Sequence, residues 1–293
     1  MSNVSSSKSE DPIEQTMREL VTFILNNFVT LIGLGGPGGS GKELKGKAAH
    51  ALCLSGTNHR IGHLTVSREI DWHIKHGTPG IAEGLIRAQQ ARNEEGALSP
   101  DLEILRLLLF AIKREVGRRN FIIITDGFPR NALQVELFKH IPSNAFLIYL
   151  QASLATCLAR AAERLADAIA KNDPNNPPRE DDKPHRVIRR YEKVFLVETE
   201  PPFLEWKALH KERTAVIQAN DEPVGNQVAT MLRAIKRAIG CEEHWGHVIE
   251  QLNDPHNPVA QKIAKIDGHP FRNDGLQQQS GEYRNETRQT VLV

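Results

Sequence analysis

The amino-acid sequence predicts an α/β fold in which helices cover both faces of one parallel β-sheet. Three observations lead to this prediction. Short apolar runs bounded by polar turns alternate with stretches of helical periodicity. The first of these runs leads into a glycine-rich loop and then a helix. With 293 residues and 40% hydrophobic content, the chain can bury one sizeable core and carry an appendage.

A helix is predicted ahead of the sheet. Asp11 and Pro12 form a typical helix start, and apolar residues then recur at helical spacing: Ile13, Met17, Leu20, Val21 and Ile24. We expect residues 1–27 to form an N-terminal extension whose helix packs on the domain. The polar face of this helix is not rich in lysine or arginine, which argues against a membrane-surface role.

The strands of the sheet are predicted from five apolar runs. These runs are residues 28–34, 60–65, 121–125, 146–150 and 215–219. In open sheets of this kind, ligands bind outside the carboxyl ends of the strands. Two sequence motifs lie at such ends.

The first motif follows the first strand. Residues 35–42 read Gly-Gly-Pro-Gly-Gly-Ser-Gly-Lys and precede a predicted helix over 44–52. This is the spacing of a P-loop, whose backbone N–H groups surround phosphate oxygens while the lysine reaches the outer phosphates. The helix N-terminus adds partial positive charge. The candidate nucleotide-binding residues are Gly36, Gly38, Gly39, Ser40, Gly41, Lys42 and Glu43.

Glu43 is a departure from this pattern, because a P-loop usually has Ser or Thr after the lysine to hold Mg²⁺. A carboxylate at this position would face the triphosphate. Two interpretations stay open: Glu43 binds the metal, directly or through water, or it weakens nucleotide affinity.

The second motif ends the third strand. Residues 125–130 read Thr-Asp-Gly-Phe-Pro-Arg. Together with Gln134, the P-loop, and Arg179-Glu180-Asp181-Asp182 with Arg190 downstream, it resembles the adenylate kinases and, more broadly, the nucleoside monophosphate kinases over about residues 29–239. The resemblance implies a P-loop three-layer fold with a five-stranded parallel sheet, and reversible transfer of the γ-phosphoryl group of ATP to AMP with Mg²⁺. It assigns residues 28–240 to this domain.

The resemblance also implies roles for individual residues. Lys42 would hold the β- and γ-phosphates, Asp126 would orient Mg²⁺ through water, and Arg130 would bind the acceptor phosphate, with Gly127 lining its site. Gln134 would hydrogen-bond the acceptor base. These residue types suit the reaction because a phosphoryl group in transfer spreads negative charge over its oxygens.

Three further arginines have implied roles. Arg179 and Arg190 would converge on the transferring group, and Arg164 resembles the arginine that opens the lid and contacts ATP. The lid is expected at residues 165–184, where Asp, Asn and Pro favour a loop with no core of its own. Because this segment lacks cysteine, it resembles the short, zinc-free lids of the family.

The segment over residues 66–101 is the expected small helical insertion that binds the monophosphate. The family has Thr or Ser, Gly-Asp, two residues and then a phosphate-binding Arg after the second strand. Here residues 65–71 read Thr-Val-Ser-Arg-Glu-Ile-Asp, so Asp71 stands where the family has Arg. Arg68, one helical turn earlier, could replace it. Thr65, Arg68 and Leu98 are the candidate acceptor contacts of this region.

Residues 241–293 are expected to form a partly disordered C-terminal extension. A helix is predicted over 242–252, and residues 269–293 are polar with little to bury. Cys241, His244 and His247 are three potential metal ligands without a fourth at regular spacing, which is more typical of a helix face.

Composition excludes several other classes of protein. A net charge of +1 argues against a general nucleic-acid-binding surface. The three cysteines form no C-x-x-C pair and no disulfide framework, and no apolar run approaches the ~18 residues of a membrane span. We therefore expect a monomer in the cytoplasm, with nucleotides as its partners.

Two alternatives to an AMP kinase stay open. Glu43, Leu44 and Asp71 stand at positions where the family has residues that favour phosphate binding. The chain is therefore also consistent with a catalytically weakened nucleotide-binding module that regulates or binds other proteins. A kinase of the UMP/CMP type is the other alternative.

Overall fold

The computed structural model describes residues 11–56, 60–95, 98–141, 143–173, 177–220, 222–240, 246–268 and Phe271. Within these residues, five strands form one sheet. They are β1 (Thr30–Gly35), β2 (Ile61–Thr65), β3 (Ile122–Asp126), β4 (Ala145–Gln151) and β5 (Thr214–Gln218). The strands are all parallel and lie in the order β2-β3-β1-β4-β5. The predicted α/β class and five-stranded parallel sheet are confirmed.

Helices connect and cover these strands. The α-helices are α1 (Pro12–Asn26), α2 (Lys42–Gly56), α3 (Val66–His76), α4 (Ala82–Glu95), α5 (Asp101–Gly117), α6 (Ala132–Lys139), α7 (Leu154–Lys171), α8 (Pro184–Arg189), α9 (Glu200–Leu209), α10 (Val224–Ile239), α11 (Gly246–Glu250) and α12 (Pro258–Asp267). A π-helix (Arg190–Thr199) joins α8 to α9, and 3₁₀ turns lie at Glu180–Asp182 and Lys211–Arg213. No helix in the described part of the chain is long and apolar enough to cross a membrane.

Two hydrophobic clusters lie on opposite faces of the sheet, because successive strand residues point to opposite sides. Ile32 and Leu34 of β1 belong to one cluster with residues of α2, α7, α10, α11 and α12. Leu31 belongs to the other, with residues of α1, α3, α4, α5, α6 and α9. Both faces are therefore buried, which explains why the strands read as continuous apolar runs.

Helix α1 has the start expected from the sequence. The Asp11 carboxylate accepts a hydrogen bond from the Ile13 N–H at 2.9 Å, and Pro12 occupies the first helical position. Leu20 and Ile24 are fully buried, and the helix packs along α5. The N-terminal helix thus packs in the hydrophobic cluster that contains Leu31 of β1.

The predicted lid differs from the structure in its first part. Helix α7 continues to Lys171, whereas the sequence predicts a loop from residue 165. Alanine is frequent in this helix and has the highest helix propensity, which outweighs the Asp and Asn that follow. The helix ends at Asn172, in a left-handed conformation with φ 43°.

The C-terminal region packs more closely on the domain than the sequence suggests. Val248, Leu252, Ile263 and Phe271 are buried in the cluster that contains α2 and α10. Of the predicted helix over 242–252, the structure shows α11; residues 241–245 lie outside the described residues. The disorder expected for 269–293 also lies outside them, except at the buried Phe271.

Candidate functional site

The strand order brings both sequence motifs to one place at the carboxyl edge of the sheet. Because β1 lies between β3 and β4, the P-loop that follows β1 begins beside the end of β3. Leu34 pairs in register with Asp126, and Thr65 of β2 pairs with Asp126 from the other side. The site is therefore built where three neighbouring strands end.

The backbone of the P-loop has conformations that glycine adopts far more readily than other residues. Gly36 and Gly39 have φ angles of 134° and 93°, in the region that favours glycine. A Cβ atom at Gly36 would lie 2.4 Å from the Leu150 carbonyl oxygen, and one at Gly39 would lie 3.0 Å from Cys157 Cα. Gly38, by contrast, has no neighbouring atom within 4 Å of such a Cβ. The loop is therefore packed against other residues at Gly36 and Gly39 and open at Gly38, which suits the close approach of a phosphate.

Lys42 extends its side chain back into the curve of the loop. Its Nζ donates hydrogen bonds to the carbonyl oxygens of Gly36 and Pro37, each at 2.7 Å. Burial lowers the Lys42 pKa to about 8, although the nearby Asp126 carboxylate opposes the shift. A phosphate against the loop would give this ammonium a charged acceptor, which makes a stronger hydrogen bond than a carbonyl.

Asp126 is buried at the end of β3, with 7% of its surface exposed. No hydrogen bond to its carboxylate is found among the described residues. Burial raises its pKa, while the charges of Lys42 and Arg130 act in the opposite direction. No group of three or more potential metal ligands occurs in the described ranges. A single carboxylate with unused lone pairs fits Mg²⁺, which usually keeps several waters and binds through one or two carboxylates plus substrate phosphates.

Two clefts meet at this edge. The α3 cleft has a volume of about 360 Å³ and is lined by Val66, Ser67, Ile70, Leu98, Ser99, Ile104, Gly127, Arg130 and Gln134. The P-loop cleft has a volume of about 580 Å³ and is lined by Leu34, Gly35, Gly36, Pro37, Gly38, Lys42, Leu98, Gly127, Pro129, Arg130, Arg190, Val194, Phe195 and Thr199. Both clefts include Leu98, Gly127 and Arg130, so these three residues mark the junction.

Gln134 faces the α3 cleft but is already hydrogen-bonded within the protein. Its Oε1 accepts a hydrogen bond from the Arg130 N–H at 2.8 Å, and its Nε2 donates to Asp101 Oδ1 at 2.8 Å. Asn131 Nδ2 donates to the same Asp101 oxygen at 2.9 Å. Gln134 therefore positions the backbone of Arg130 as well as lining the cleft. The role of Asp101 was not predicted from the sequence.

Two aspartates of the predicted lid segment bind two of the predicted arginines. Arg164 donates from Nη2 and Nε to the two carboxylate oxygens of Asp182, at 2.6 and 3.2 Å. Arg190, which lines the P-loop cleft, donates to Asp181 Oδ2 at 2.6 Å. The exposed Arg179 lines neither cleft, but its charge contributes to lowering the Glu43 pKa.

The predicted acceptor residues of the second strand and α3 lie outside the cleft linings. Thr65 is buried at the end of β2. Arg68 donates from Nη2 to Glu43 Oε1 at 2.6 Å. Asp71 is exposed and accepts a hydrogen bond from Gln89 Nε2 at 3.2 Å. Of the predicted acceptor contacts, the clefts bring together Leu98, Gly127, Arg130, Gln134 and Arg190.

Arg160 is a residue of this region that was not predicted from the sequence. Its guanidinium donates to the carbonyl oxygens of Gly39, at 3.3 Å, and Ala219, at 2.7 Å. It thereby ties α7 to the P-loop and to the end of β5. One signal was available, because Arg160 lies four residues before Arg164 and shares its helix face.

Comparisons with known proteins identify two phosphotransferases that are similar to this chain in sequence. No protein-family model matches the chain. The chain is 28% identical to the mitochondrial GTP:AMP phosphotransferase of Drosophila melanogaster over 191 residues, which are 59% of this chain and 81% of that protein. It is 27% identical to the adenylate kinase of Thermosynechococcus vestitus over 207 residues, which are 64% of this chain and 95% of that protein.

Among solved structures, a match is the shikimate kinase from Acinetobacter baumannii in complex with shikimate. It shares 19% identity with a TM-score of 0.37, and the match covers 71% of this chain and 93% of that one.

Proposed function

Because the chain is a distant homologue of adenylate kinase and GTP:AMP phosphotransferase, we propose that it is a nucleoside monophosphate kinase that transfers the γ-phosphoryl group of ATP to AMP, reversibly and with Mg²⁺. The observation that carries this proposal is the junction of the two clefts at Gly127 and Arg130. A donor phosphate beside Lys42 and an acceptor phosphate beside Arg130 would meet there.

The P-loop cleft is the proposed donor site. The loop N–H groups and Lys42 would hold the β- and γ-phosphates, and Arg190 also lines this cleft. Arg160 and Arg164 extend the positive charge along α7. Held together, these cations would neutralise the charge that spreads over the phosphoryl oxygens during transfer.

The α3 cleft is the proposed acceptor site. Its lining is largely apolar and suits a flat base, with Val66, Ile70, Leu98 and Ile104 contributing. Arg130 lies where this cleft meets the P-loop cleft, in which the donor phosphates would bind. A guanidinium binds phosphate bidentately and stays charged at all physiological pH values. Gln134 would complete the lining while it holds the Arg130 backbone in place.

Asp126 would hold Mg²⁺ through water. A cation held there would supply positive charge that offsets part of the negative charge of the phosphates. Closure of the lid would keep water out of the site, as the transfer requires. The Asp181 and Asp182 contacts with Arg190 and Arg164 couple the lid to the donor side.

A catalytically weakened nucleotide-binding module is the second candidate. Glu43 favours it, because this carboxylate lies at the start of the P-loop helix and forms ion pairs with Lys47 and Arg68. Leu44 also lacks the hydroxyl that could hold a metal. A kinase for UMP or CMP would use the same donor site with a different base in the α3 cleft.

A coupled assay decides between these candidates. The purified protein would be supplied with Mg²⁺, with ATP or GTP as donor, and with AMP, GMP, UMP or CMP as acceptor. We expect fastest turnover with ATP and AMP, and a loss of at least about a hundredfold in Lys42→Met. If the wild-type protein binds ATP but turns over no faster than Lys42→Met, the kinase proposal is wrong and the second candidate remains.

We further propose that the protein is a monomer in the cytoplasm that binds neither nucleic acid nor membranes. Light scattering of the purified chain and imaging of the tagged full-length protein test this. Localisation to mitochondria, the compartment in the name of the Drosophila relative, would overturn the cytoplasmic assignment.

A further inference from the structure

Glu43 connects helix α2, which follows the P-loop, to the first turn of helix α3. Its Oε1 accepts hydrogen bonds from Arg68 Nη2, at 2.6 Å, and from Lys47 Nζ, at 2.7 Å. The Arg68, Lys47 and Glu43 side chains are 59%, 44% and 31% exposed. Lys47 lies on the same helix as Glu43, whereas Arg68 lies in the first turn of α3. One carboxylate oxygen therefore links two separate elements of the site.

The charge around Glu43 keeps this carboxylate ionised. Burial alone would raise its pKa, but the hydrogen bond from Lys47 and the charges of Lys47, Arg68 and Arg179 bring the pKa below its usual value. Glu43 also contributes to raising the pKa of Asp126. Its negative charge is thus felt by the acceptor segment, by the lid and by the proposed metal-binding carboxylate.

Arg68 is held at the edge of the α3 cleft by this contact. Val66 and Ser67, the two residues before it, line the cleft, but Arg68 does not. A change of side-chain rotamer, without movement of α3, could bring a long arginine side chain from Glu43 toward the cleft. The α3 cleft would then contain two arginines for an acceptor phosphate, Arg68 and Arg130.

We propose that Glu43 is the counter-ion that holds Arg68 until a monophosphate binds, so that Arg68 exchanges the carboxylate for the acceptor phosphate. This inference rests on the proposed function. It assigns Glu43 the role of a positioning residue that sets acceptor affinity. A dianionic phosphate is a stronger partner for a guanidinium than a single carboxylate oxygen that is shared with Lys47. Breaking the existing pair nevertheless weakens monophosphate binding.

A double-mutant cycle tests the exchange. AMP affinity is measured by calorimetry, at low salt and without Mg²⁺, for wild type, Glu43→Gln, Arg68→Gln and the double variant. Exposed ion pairs contribute little, so we expect Glu43→Gln to bind AMP about twofold to fivefold more tightly. Arg68→Gln should bind more weakly. In the Arg68→Gln background, the gain from Glu43→Gln should be largely lost.

A matched control separates this effect from a general loss of negative charge. Glu136 on α6 forms a comparable ion pair with Lys139 at 2.8 Å and lines neither cleft. Glu136→Gln should leave AMP affinity unchanged. The gain in Glu43→Gln should also shrink at high salt, because exposed charges are screened. Melting temperatures of all variants confirm that each one is folded.

Several results would overturn the proposal. Equal gains from Glu43→Gln with and without Arg68, or no gain at all, would show that the two residues are not coupled. A changed Mg²⁺ requirement with unchanged AMP affinity would place Glu43 on the metal. Binding and turnover separate the two proposals. If the protein binds AMP without turnover, the kinase proposal is wrong and the double-mutant cycle still tests the exchange. If turnover occurs but the effects in the cycle are additive, only the exchange is refuted. If AMP does not bind, both proposals are refuted.

Discussion

A Cβ atom at Gly127 would lie 2.7 Å from Nη2 of Arg130. Gly127 also has a φ of 88°, which side chains other than glycine rarely adopt. The glycine of this motif therefore makes room for the arginine at the junction of the two clefts. The residue proposed to bind the acceptor phosphate and the residue that gives it space are only three positions apart.

Gly127→Ala should therefore weaken binding at the proposed acceptor site. The added methyl group would displace the Arg130 guanidinium, and we expect acceptor KM to rise about tenfold, equivalent to about 1.4 kcal/mol. The left-handed backbone should also cost about 1–2 kcal/mol of stability. Gly80→Ala is the control, because Gly80 has a φ of 74° but open space around it. It should lose similar stability with no change in KM; equal KM values for all three proteins would contradict the prediction.

Gln134→Glu should introduce repulsion in the α3 cleft. Gln134 is 2% exposed, and its Nε2 donates to Asp101 at 2.8 Å, so a glutamate would place two carboxylates together. We expect a loss of about 1–3 kcal/mol in the free energy of unfolding at pH 8 and a higher acceptor KM. Lowering the pH toward 5 should recover part of this stability, because one carboxyl group of such a pair takes up a proton. Gln134→Ala removes the hydrogen bonds without adding charge and should show no such recovery.

Lys45→Met should change the pH dependence of stability. Lys45 is 1% exposed, and its Nζ donates to the Ser40 carbonyl at 2.7 Å beneath the P-loop. Burial, followed by the charges of Arg160 and Lys42, lowers its pKa from 10.5 to about 7. Between these values the unfolded chain binds more protons than the folded one, so wild-type stability should rise with pH across this window.

Chemical unfolding measures this effect. Relative to wild type, Lys45→Met should be most stable below pH 7, and the advantage should shrink by several kcal/mol as the pH rises toward 10.5. The hydrogen bond to Ser40 contributes in both protonation states, since an amine also donates. Lys207→Met, at an exposed position of α9, is the control. If the difference in unfolding free energy between Lys45→Met and wild type is the same at all pH values, folding does not lower the pKa of Lys45.

Asp267→Ala should destabilise the C-terminal side of the domain. The Asp267 carboxylate accepts hydrogen bonds from the N–H groups of Val224, at 2.7 Å, and Gly225, at 2.8 Å, at the start of α10. Loss of such a cap costs about 0.5–2 kcal/mol, measured as a lower melting temperature. Asp254→Ala removes a 2.8 Å hydrogen bond to the His256 N–H in an exposed turn and should have a smaller effect. Equal melting temperatures for Asp267→Ala and wild type would contradict this prediction.

Much of the fold could be predicted because both faces of the sheet are buried. Buried parallel strands read as continuous apolar runs, and the predicted run over 121–125 differs from Ile122–Asp126 by one residue at each end. The P-loop lysine and Asp126 could be placed together because each follows a strand at the same edge of the sheet. These are local patterns combined with a general rule of topology.

Contacts between distant segments could not be predicted in this way. The pairing of Arg68 with Glu43 joins residues 25 positions apart, and Gln134 reaches Asp101 across 33 positions. Nothing in the local pattern of either residue indicates its partner. The start of helix α12, by contrast, is a local pattern that the sequence contains, since Asn257 caps the helix and Pro258 begins it.

The packing of α12 has a practical consequence for where this domain should be cut. The sequence resemblance ends near residue 239, so a shortened version designed from it would stop after α10. Such a protein would lose the Asp267 cap and several buried apolar side chains, among them Val248, Leu252, Ile263 and Phe271. The surfaces of α2 and α10 that these groups cover would face water and favour aggregation. A shortened version that retains Phe271 should remain monodisperse during purification.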